Sequence, residues 1–292
     1  MNKFSTYIFF LLFISACTVK PKVQDLTYQN IIILSDMSNR ISNKNFPNKD
    51  LQKIKDIISF FNKECVKPGA KTGDRSKILF STFTKNNFVE IDIEKFNYSI
   101  VDKQSFVNST GKYKNSGLNV MLKSFEDSVS IFYKNESNPG LDLISLLIEK
   151  INNENLIKKN SILVSDVDTT RLIFENNIYL FTDGYLEYSK SNNLSYYFGD
   201  SQIKNIRNYC DLNNVDINTA LNTNPKFGLP AYQSPINKLI SLHVMETHER
   251  DKDVTTLGYK NRPGLRDNEI LEFVWSKWAK ESGFKNFSWG KY

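Results

Sequence analysis

Two groups of oxygen-bearing side chains follow apolar runs in this chain, and together they could bind a metal ion. Asp36 and Ser38 come just after the run Asn30–Ser35 (NIIILS), and Asp183 comes just after Asn177–Phe181 (NIYLF). Parallel strands present their carboxyl ends at one edge of a sheet, so these side chains meet if the two strands are neighbours. Carboxylate and hydroxyl oxygens are the ligands that Mg²⁺ and Mn²⁺ prefer. The sequence therefore predicts a site for one of these cations on Asp36, Ser38 and Asp183.

The two motifs resemble those of the von Willebrand factor type A domain. In that family the first strand ends in Asp-x-Ser-x-Ser, and a later strand ends in an Asp that often lies within Thr-Asp-Gly. Here Asp36-Met37-Ser38-Asn39-Arg40 and Thr182-Asp183-Gly184 occur in the same order. The resemblance spans roughly residues 30–282 and rests on these two motifs. It implies a non-enzymatic binding or scaffold module, in which a carboxylate of a protein partner completes the shell of the cation.

The chain departs from the pattern of this family at two ligand positions. Arg40 stands where the second serine is expected, and the loop that usually carries a threonine reads Gly140-Leu141-Asp142. In one alternative the three remaining ligands still hold a cation. In another, Arg40 takes the place of the cation and pairs with Asp36 or Asp183, or contacts an acidic group of the partner directly. Arg40 and Thr182 are therefore predicted to contact the partner, and the third alternative is that both Asp residues only cap helices or turns.

A second motif indicates a different chemistry. Ser161–Thr170 reads SILVSDVDTT, which resembles the first motif of haloacid-dehalogenase-type phosphatases, Asp-x-Asp-x-Thr after an apolar strand. The resemblance implies that Asp166 is the nucleophile and Asp168 the general acid and base. Sixteen residues separate Asp166 from Thr182, which is too few for the helix and flap that this family places there. An envelope phosphatase is the alternative to the binding module.

Both histidines of the chain lie with two glutamates in the segment His243–Glu249. On a strand, alternation puts His243 and Met245 on one face and Glu246 and His248 on the other, which separates the candidate ligands. The spacing also matches none of the helical zinc motifs. We therefore expect a strand that ends in a polar loop, and no zinc site.

Composition argues against a nucleic-acid-binding or membrane-spanning protein. The formal charge is +6, but the lysines are scattered among Asn, Asp and Glu without an arginine-rich block. Beyond the N-terminal leader, no apolar stretch reaches the length of about 20 residues that a spanning helix needs. An apolar content of 40% is enough for a sizeable core. We expect a globular domain that does not bind nucleic acid.

The N-terminus, MNKFSTYIFFLLFISAC, indicates a signal peptide with a lipid attachment site. Lys3 precedes the apolar run Tyr7–Ile14, and the small pair Ser15-Ala16 precedes Cys17. This ending resembles the bacterial lipobox, which implies that Cys17 carries a diacylglycerol and becomes the new N-terminus. Thr18 stands where an Asp would favour retention in the inner membrane. The expected location is the cell envelope, with the lipid on Cys17 anchored in the outer membrane.

The remaining apolar patterns predict one α/β domain. Residues 1–16 are the predicted signal peptide, residues 17–29 a tether and residues 30–292 the domain. Strands alternate with amphipathic helices, which is typical of a doubly wound, mainly parallel, Rossmann-like sheet with helices on both faces. The type implied by the resemblance is that of the von Willebrand A domain. Residues 97–117 and 211–235 read as polar connections, and the aromatic C-terminal tail is expected to pack on the sheet. Cys65 and Cys210 could form a disulfide or remain free thiols.

Overall fold

The computed structural model describes residues 22–291 apart from 43–44, 67–73, 85–86, 97, 136, 139, 154–155, 165–167, 189–195, 247–249, 254 and 262–263. The strands are β1 (Lys22–Ser35), β2 (Lys77–Thr82), β3 (Phe88–Asp92), β4 (Ser161–Val164), β5 (Asp168–Phe181), β6 (Ile240–Glu246) and β7 (Asn286–Lys291). The α-helices are α1 (Asn45–Phe60), α2 (Ile100–Val107), α3 (Leu118–Asn135), α4 (Leu143–Asn153), α5 (Asp200–Asn213), α6 (Ile217–Thr223) and α7 (Asp267–Glu281).

All described strands belong to one open sheet of seven strands. Its main order is β3-β2-β1-β5-β6-β7, and β4 pairs with β5 outside this path. β3 is antiparallel to β2 and β4 is antiparallel to β5, whereas the other pairs are parallel. The predicted α/β class with a mainly parallel sheet is confirmed, and the arrangement is compatible with a Rossmann-like fold.

Successive side chains of β1 belong to two different hydrophobic clusters. Ile31 and Ile33 pack in a cluster with residues of α1 and α3. Ile32 and Leu34 pack in the other cluster, with residues of α4, α5, α6 and α7. Alternate side chains of a strand point to opposite sides, and here each side packs in a cluster, so all four residues are fully buried. The segment therefore reads as one continuous apolar run.

The two central strands are longer than the sequence indicated. β1 begins at Lys22, so residues 22–29, which were assigned to the tether, belong to the sheet. β5 likewise begins at Asp168 instead of Asn177. These extensions are half exposed and rich in polar residues, so they lack the apolar run that marks the buried halves. A small separate cluster that contains Tyr28, Leu172 and Phe174 stabilises them.

Three elements lie where no regular structure was predicted. α2 and α6 lie within the stretches that read as polar connections, and β7 lies in the aromatic tail. Each short helix begins at a polar cap: the side chain of Ser99 accepts from the backbone N–H of Asp102, and that of Asp216 accepts from the backbone N–H of Thr219. None of the described helices is long and apolar enough to cross a membrane.

The C-terminal aromatic residues and two of the cysteines take part in the hydrophobic clusters. Trp275 and Trp278 are almost fully buried in the cluster with α4–α7, as expected for an aromatic tail packed on the sheet. Cys210 lies in the same cluster, whereas Cys65 packs against the cluster with α1 and α3. No disulfide joins Cys65 to Cys210, because the two residues belong to different clusters.

Candidate functional site

The two predicted motifs meet because β1 and β5 are parallel neighbours that end in register. Ser35 pairs with Phe181, and the N–H of Asp36 donates to the carbonyl oxygen of Phe181 at 2.9 Å. One residue further, Oγ1 of Thr182 donates to Oδ2 of Asp36 at 3.3 Å. The ends of the two strands are therefore joined through the carboxylate of Asp36.

The chain after β1 folds back onto the Asp36 carboxylate. The N–H of Ser38 donates to Oδ1 at 3.0 Å, and Oγ of Ser38 donates to Oδ2 at 3.2 Å. Asp36 is only 5% exposed, and this burial raises its pKa above the ordinary value. The charge of Arg40 and the hydrogen bonds from Ser38 and Thr182 act in the opposite direction. Asp36 and Ser38 thus form one preorganised oxygen cluster.

Asp183 is the second buried carboxylate of the site. It is 6% exposed, and its Oδ1 accepts from the N–H of Tyr185 at 3.2 Å. Burial first, and the negative charge of Asp36 second, raise the pKa of Asp183 to about 6. Asp36 and Asp183 are thus two buried carboxylates whose negative charges repel each other. Such pairs occur in functional sites that bind a proton or a cation.

The side chain of Arg40, which is predicted to contact a partner, lies inside the fold. Its Nη2 forms an ion pair with Oδ2 of Asp50 at 2.7 Å, and its side chain is 1% exposed. Its Nε donates to the backbone carbonyl of Asp36 at 2.9 Å, and Nη2 also contacts the carbonyl of Phe181 at 3.2 Å. Arg40 therefore supports the strand ends from inside and does not replace a cation at the Asp36 carboxylate.

Thr182, which is also predicted to contact a partner, lies inside the folded chain. It is fully buried, and its Oγ1 donates to Asp36 and accepts from the N–H of Gly184 at 3.1 Å. Thr182 positions the two Asp-containing turns against each other.

Arg250 is a charged residue of the site that no motif indicated. Its Nη1 lies 3.8 Å from Oδ2 of Asp183 and 2.8 Å from Oε2 of Glu187. Its guanidinium carbon lies 3.9 Å from the centre of the Tyr185 ring. The side chain is about one third exposed, at 32%. Arg250 follows β6 in a segment without repeats or patterns, so only the folded chain brings it to Asp183.

A charged cavity of about 460 Å³ opens beside Arg250 and Tyr185. The hydroxyl of Tyr185 donates to Asp267 at 2.8 Å, and Asp267 also pairs with Arg207. The charged residues that line the cavity are Asp200, Lys204, Arg207, Arg250, Lys260 and Asp267. Four cationic groups against two carboxylates leave this cavity basic, directly next to the acidic pair.

Asn138 is a second residue that motif analysis missed. It forms a parallel bridge with Ser38, and its N–H donates to the carbonyl of Met37 at 2.8 Å. Its Oδ1 accepts from the N–H of Gly140, but its buried Nδ2 has no partner among the described residues. Asp142, from the stretch expected to replace the loop threonine, instead caps α4 by accepting from the N–H and hydroxyl of Ser145. An unused amide donor thus lies beside the loop of Ser38.

The charge balance of the site fits a divalent cation. Within the described part of the chain Asp36 makes no ion pair, Asp183 shares Arg250 with Glu187, and Arg40 pairs with Asp50. The six charged side chains concerned are Asp36, Asp50, Asp183, Glu187, Arg40 and Arg250, with a net formal charge of −2 when all are ionised. Among the described residues, no three His, Cys, Asp or Glu side chains are grouped to hold a metal. The carboxylates of Asp36 and Asp183 and the hydroxyl of Ser38 are hard oxygen groups, the type of ligand that Mg²⁺ and Mn²⁺ prefer.

The competing candidates lie elsewhere. Asp168 is exposed at the first position of β5, at the opposite end of that strand from Thr182, and Asp166 lies outside the described residues. Asp168 and Thr182 are therefore separated by about 43 Å of strand. His243 stacks on Tyr179 and contacts Ser288 at 2.7 Å, whereas His248, Glu249 and Cys17 lie outside the described residues.

No family model, no curated protein and no solved structure matches this chain. The functional assignment therefore depends on the geometry described above.

Proposed function

We propose that this chain is a lipid-anchored binding module of the cell envelope. It recognises a protein partner at the carboxyl edge of its sheet, through a Mg²⁺ or Mn²⁺ ion held by Asp36, Ser38 and Asp183. The observation that carries the proposal is the pair of buried carboxylates, Asp36 and Asp183, at the ends of two adjacent parallel strands. They are coupled strongly enough that Asp36 helps to raise the pKa of Asp183 to about 6.

The uncompensated negative charge supports the cation. Keeping two carboxylates buried and close together costs free energy, since each disfavours the ionisation of the other. A bound divalent cation would offset this repulsion and leave a coordination position for a carboxylate of the partner. The contribution of the chain itself is positional: Ser38 and Thr182 orient Asp36, and the N–H of Tyr185 orients Asp183.

The strand order supports the von Willebrand A-like type within the broader α/β class. With β4 set aside, the strands follow the order 3-2-1-4-5-6 of doubly wound sheets. Alternate side chains of β1 pack with different sets of helices, which is what a sheet covered on both faces requires. In such sheets ligands bind beyond the carboxyl ends of the strands, where Asp36 and Asp183 lie.

The basic cavity suggests what the partner presents. Arg250 lies between Asp183 and a cavity to which Lys204 and Lys260 contribute further positive charge. A partner segment with several acidic groups would place one carboxylate at the cation and others against these basic side chains. We therefore propose an acidic protein segment as the partner.

The direct experiment is cation-dependent thermal unfolding of the wild type, Asp36→Asn and Asp183→Asn. A cation at about 100 times its Kd stabilises the native state by about 2.7 kcal/mol. We expect Mg²⁺ or Mn²⁺ to raise the Tm of the wild type and to leave both variants unchanged. Asp216→Asn is the matched control, because Asp216 is an exposed helix cap whose role asparagine can retain. An unchanged wild-type Tm, or the same rise in all four proteins, would rule out the cation.

A further inference from the structure

The sheet extends beyond its seven-stranded part as a narrow ribbon at the amino end of β1. We call this the amino-end ribbon: residues 22–29 of β1, residues 168–175 of β5, and β4. β2 pairs with β1 only from Asn30 onward, and β6 pairs with β5 only from Asn176 onward. The ribbon thus projects past the neighbouring strands, at the opposite end of β1 from Asp36.

The end of this ribbon exposes an apolar run. Ile162, Leu163 and Val164 are 62%, 49% and 76% exposed, and Val23 is 55% exposed. Every residue of β4 is exposed, and β4 pairs with β5 alone among the described strands. An exposed apolar edge strand is costly in water and prone to association, so it calls for something that covers it.

The register places these side chains on both faces of the ribbon. Val164 lies opposite Thr169, which lies opposite Val23, so the two valines share one face, and Ile162 shares it because it lies two residues from Val164 on β4. Alternation puts Leu163 on the other face. Three of the four exposed apolar side chains therefore lie on one face and one on the other, and a layer of lipid headgroups around the end of the ribbon contacts both faces.

Side-chain contacts between β1 and β5 stabilise the ribbon. Nε and Nη2 of Arg171 on β5 donate to the two carboxylate oxygens of Asp25 on β1, at 2.6 and 2.8 Å. The rings of Tyr28 and Phe174 pack with their centroids 5.8 Å apart. The exposed apolar side chains are therefore presented on a preformed element, which lowers the entropy cost of binding.

The position of the lipid attachment site decides what covers the ribbon. Cys17 precedes Lys22, the first residue of β1, by five residues. Five residues span at most about 18 Å, so a lipid on Cys17 keeps the start of β1 close to the bilayer surface. This step rests on the lipid anchoring that forms part of the proposed function.

We propose that the amino-end ribbon inserts its apolar end into the headgroup layer of the bilayer that holds the lipid on Cys17. Val23, Ile162, Leu163 and Val164 contact the boundary between headgroups and acyl chains. Asp168, which lies in the outermost described pair of the ribbon, is charged and exposed, and this keeps the insertion shallow. β1 then stands on the membrane, and its 14 residues hold Asp36 about 45 Å away from the surface.

The test uses the full lipidated protein in phosphatidylcholine vesicles whose acyl chains carry bromine atoms near the headgroups. Val164→Trp reports contact at the ribbon, and Leu212→Trp is the matched control at an 85% exposed position on α5. The quenching of the native tryptophans, measured on the wild type, is subtracted. Bromine near the headgroups quenches the fluorescence of a tryptophan only at that depth, so we expect the quenching of V164W to be at least about threefold that of L212W. Equal quenching of the two variants would overturn the proposal.

Two further measurements identify other causes. The mass of the N-terminal peptide reports acylation of Cys17; an unmodified cysteine would overturn the lipid anchor and, with it, this inference. Sedimentation of the detergent-solubilised protein reports pairing of β4 with a second copy. A dimer that Ile162→Ser with Val164→Ser converts to a monomer would assign the ribbon to self-association and overturn membrane contact.

Discussion

Nη2 of Arg40 lies 2.7 Å from Oδ2 of Asp50, and the two side chains are 1% and 0% exposed. This ion pair decides the character of the neighbouring site. It turns the guanidinium away from the Asp36 carboxylate, while Nε of Arg40 still holds the Asp36 backbone. The hydroxyl of Tyr133 donates to the same oxygen of Asp50 at 2.9 Å. Arg40, which stands where the second serine is expected, therefore pairs with Asp50, and among the described residues Asp36 has no salt bridge.

Breaking this pair is expected to destabilise the fold strongly. Arg40→Met leaves Asp50 buried and uncompensated, which should cost about 3–5 kcal/mol of unfolding free energy. Arg40→Met with Asp50→Asn should recover most of that loss, because the buried charge is gone. Urea unfolding measures both. Arg171→Met, which removes the exposed pair with Asp25, is the control and should cost no more than about 1 kcal/mol. A loss as small for R40M as for R171M would contradict the structural role of Arg40.

Asp183→Asn should stabilise the cation-free protein above pH 6. The pKa of Asp183 rises from 3.8 to about 6 in the folded state, so between these values the folded state keeps a proton that the unfolded state has lost. Stability therefore falls as the pH rises through this window and stays low above it. The asparagine variant avoids this loss, which amounts to roughly 2–3 kcal/mol at about 1.4 kcal/mol per pKa unit.

The measurement is the unfolding free energy at several pH values in the presence of a chelator. The difference between D183N and the wild type should grow from pH 4 to pH 6, the interval set by the two pKa values of Asp183. Parallel curves for the two proteins would show that Asp183 is not perturbed.

Asp36 and Arg250, two of the charged neighbours of Asp183, should move its pKa in opposite directions when they are replaced. Asp36→Asn removes a negative charge and should lower the pKa of Asp183, whereas Arg250→Gln removes a positive charge and should raise it further. Carboxyl-carbon NMR titration of Asp183 reads both shifts. Arg171→Gln, distant on the amino-end ribbon, is the control and should leave the titration unchanged. Shifts of the same sign in D36N and R250Q would contradict the arrangement of the site.

Gly184 is expected to be intolerant of any side chain. Its φ is +83°, and a Cβ there would lie 2.5 Å from Cη2 of Trp289. The carbonyl of Gly184 also accepts from Nε1 of Trp275 at 2.8 Å, so the turn that carries Asp183 is held by the C-terminal aromatic residues. Gly184→Ala should lower the unfolding free energy by about 2 kcal/mol or more, and weaken cation binding, since the turn must move.

Gly283 provides the matched control for this substitution. Its φ of +81° is nearly the same, but a Cβ there would have no atom within 4 Å. Gly283→Ala should therefore cost only the backbone strain, about 1 kcal/mol. Equal losses for G184A and G283A in denaturant unfolding would show that contact with Trp289 does not constrain the Asp183 turn.

Much of the fold was predictable from local patterns. The buried halves of β1 and β5 read as apolar runs because both of their sides pack against other residues, and α4 and α7 showed apolar residues at helical spacing. In the amino-end ribbon, β4 was predictable as the apolar run Ser161–Val164, but the β1 part was not, because Gln24, Asp25 and Thr27 alternate with few apolar residues. Its stability comes from pairing between β1 and β5, which are far apart in the sequence.

Part of the candidate site was likewise predictable from local sequence, and part depended on the folded chain. By itself, the sequence determined that Asp36 and Asp183 each follow a strand, since apolar runs and the residues after them are local features. Only the tertiary structure decided that Arg40 points inward to Asp50, that Arg250 reaches Asp183, and that Asn138 lies beside Ser38. The direction of a charged side chain depends on which buried counter-charge the folded chain brings within reach, and no spacing in the sequence encodes that distance.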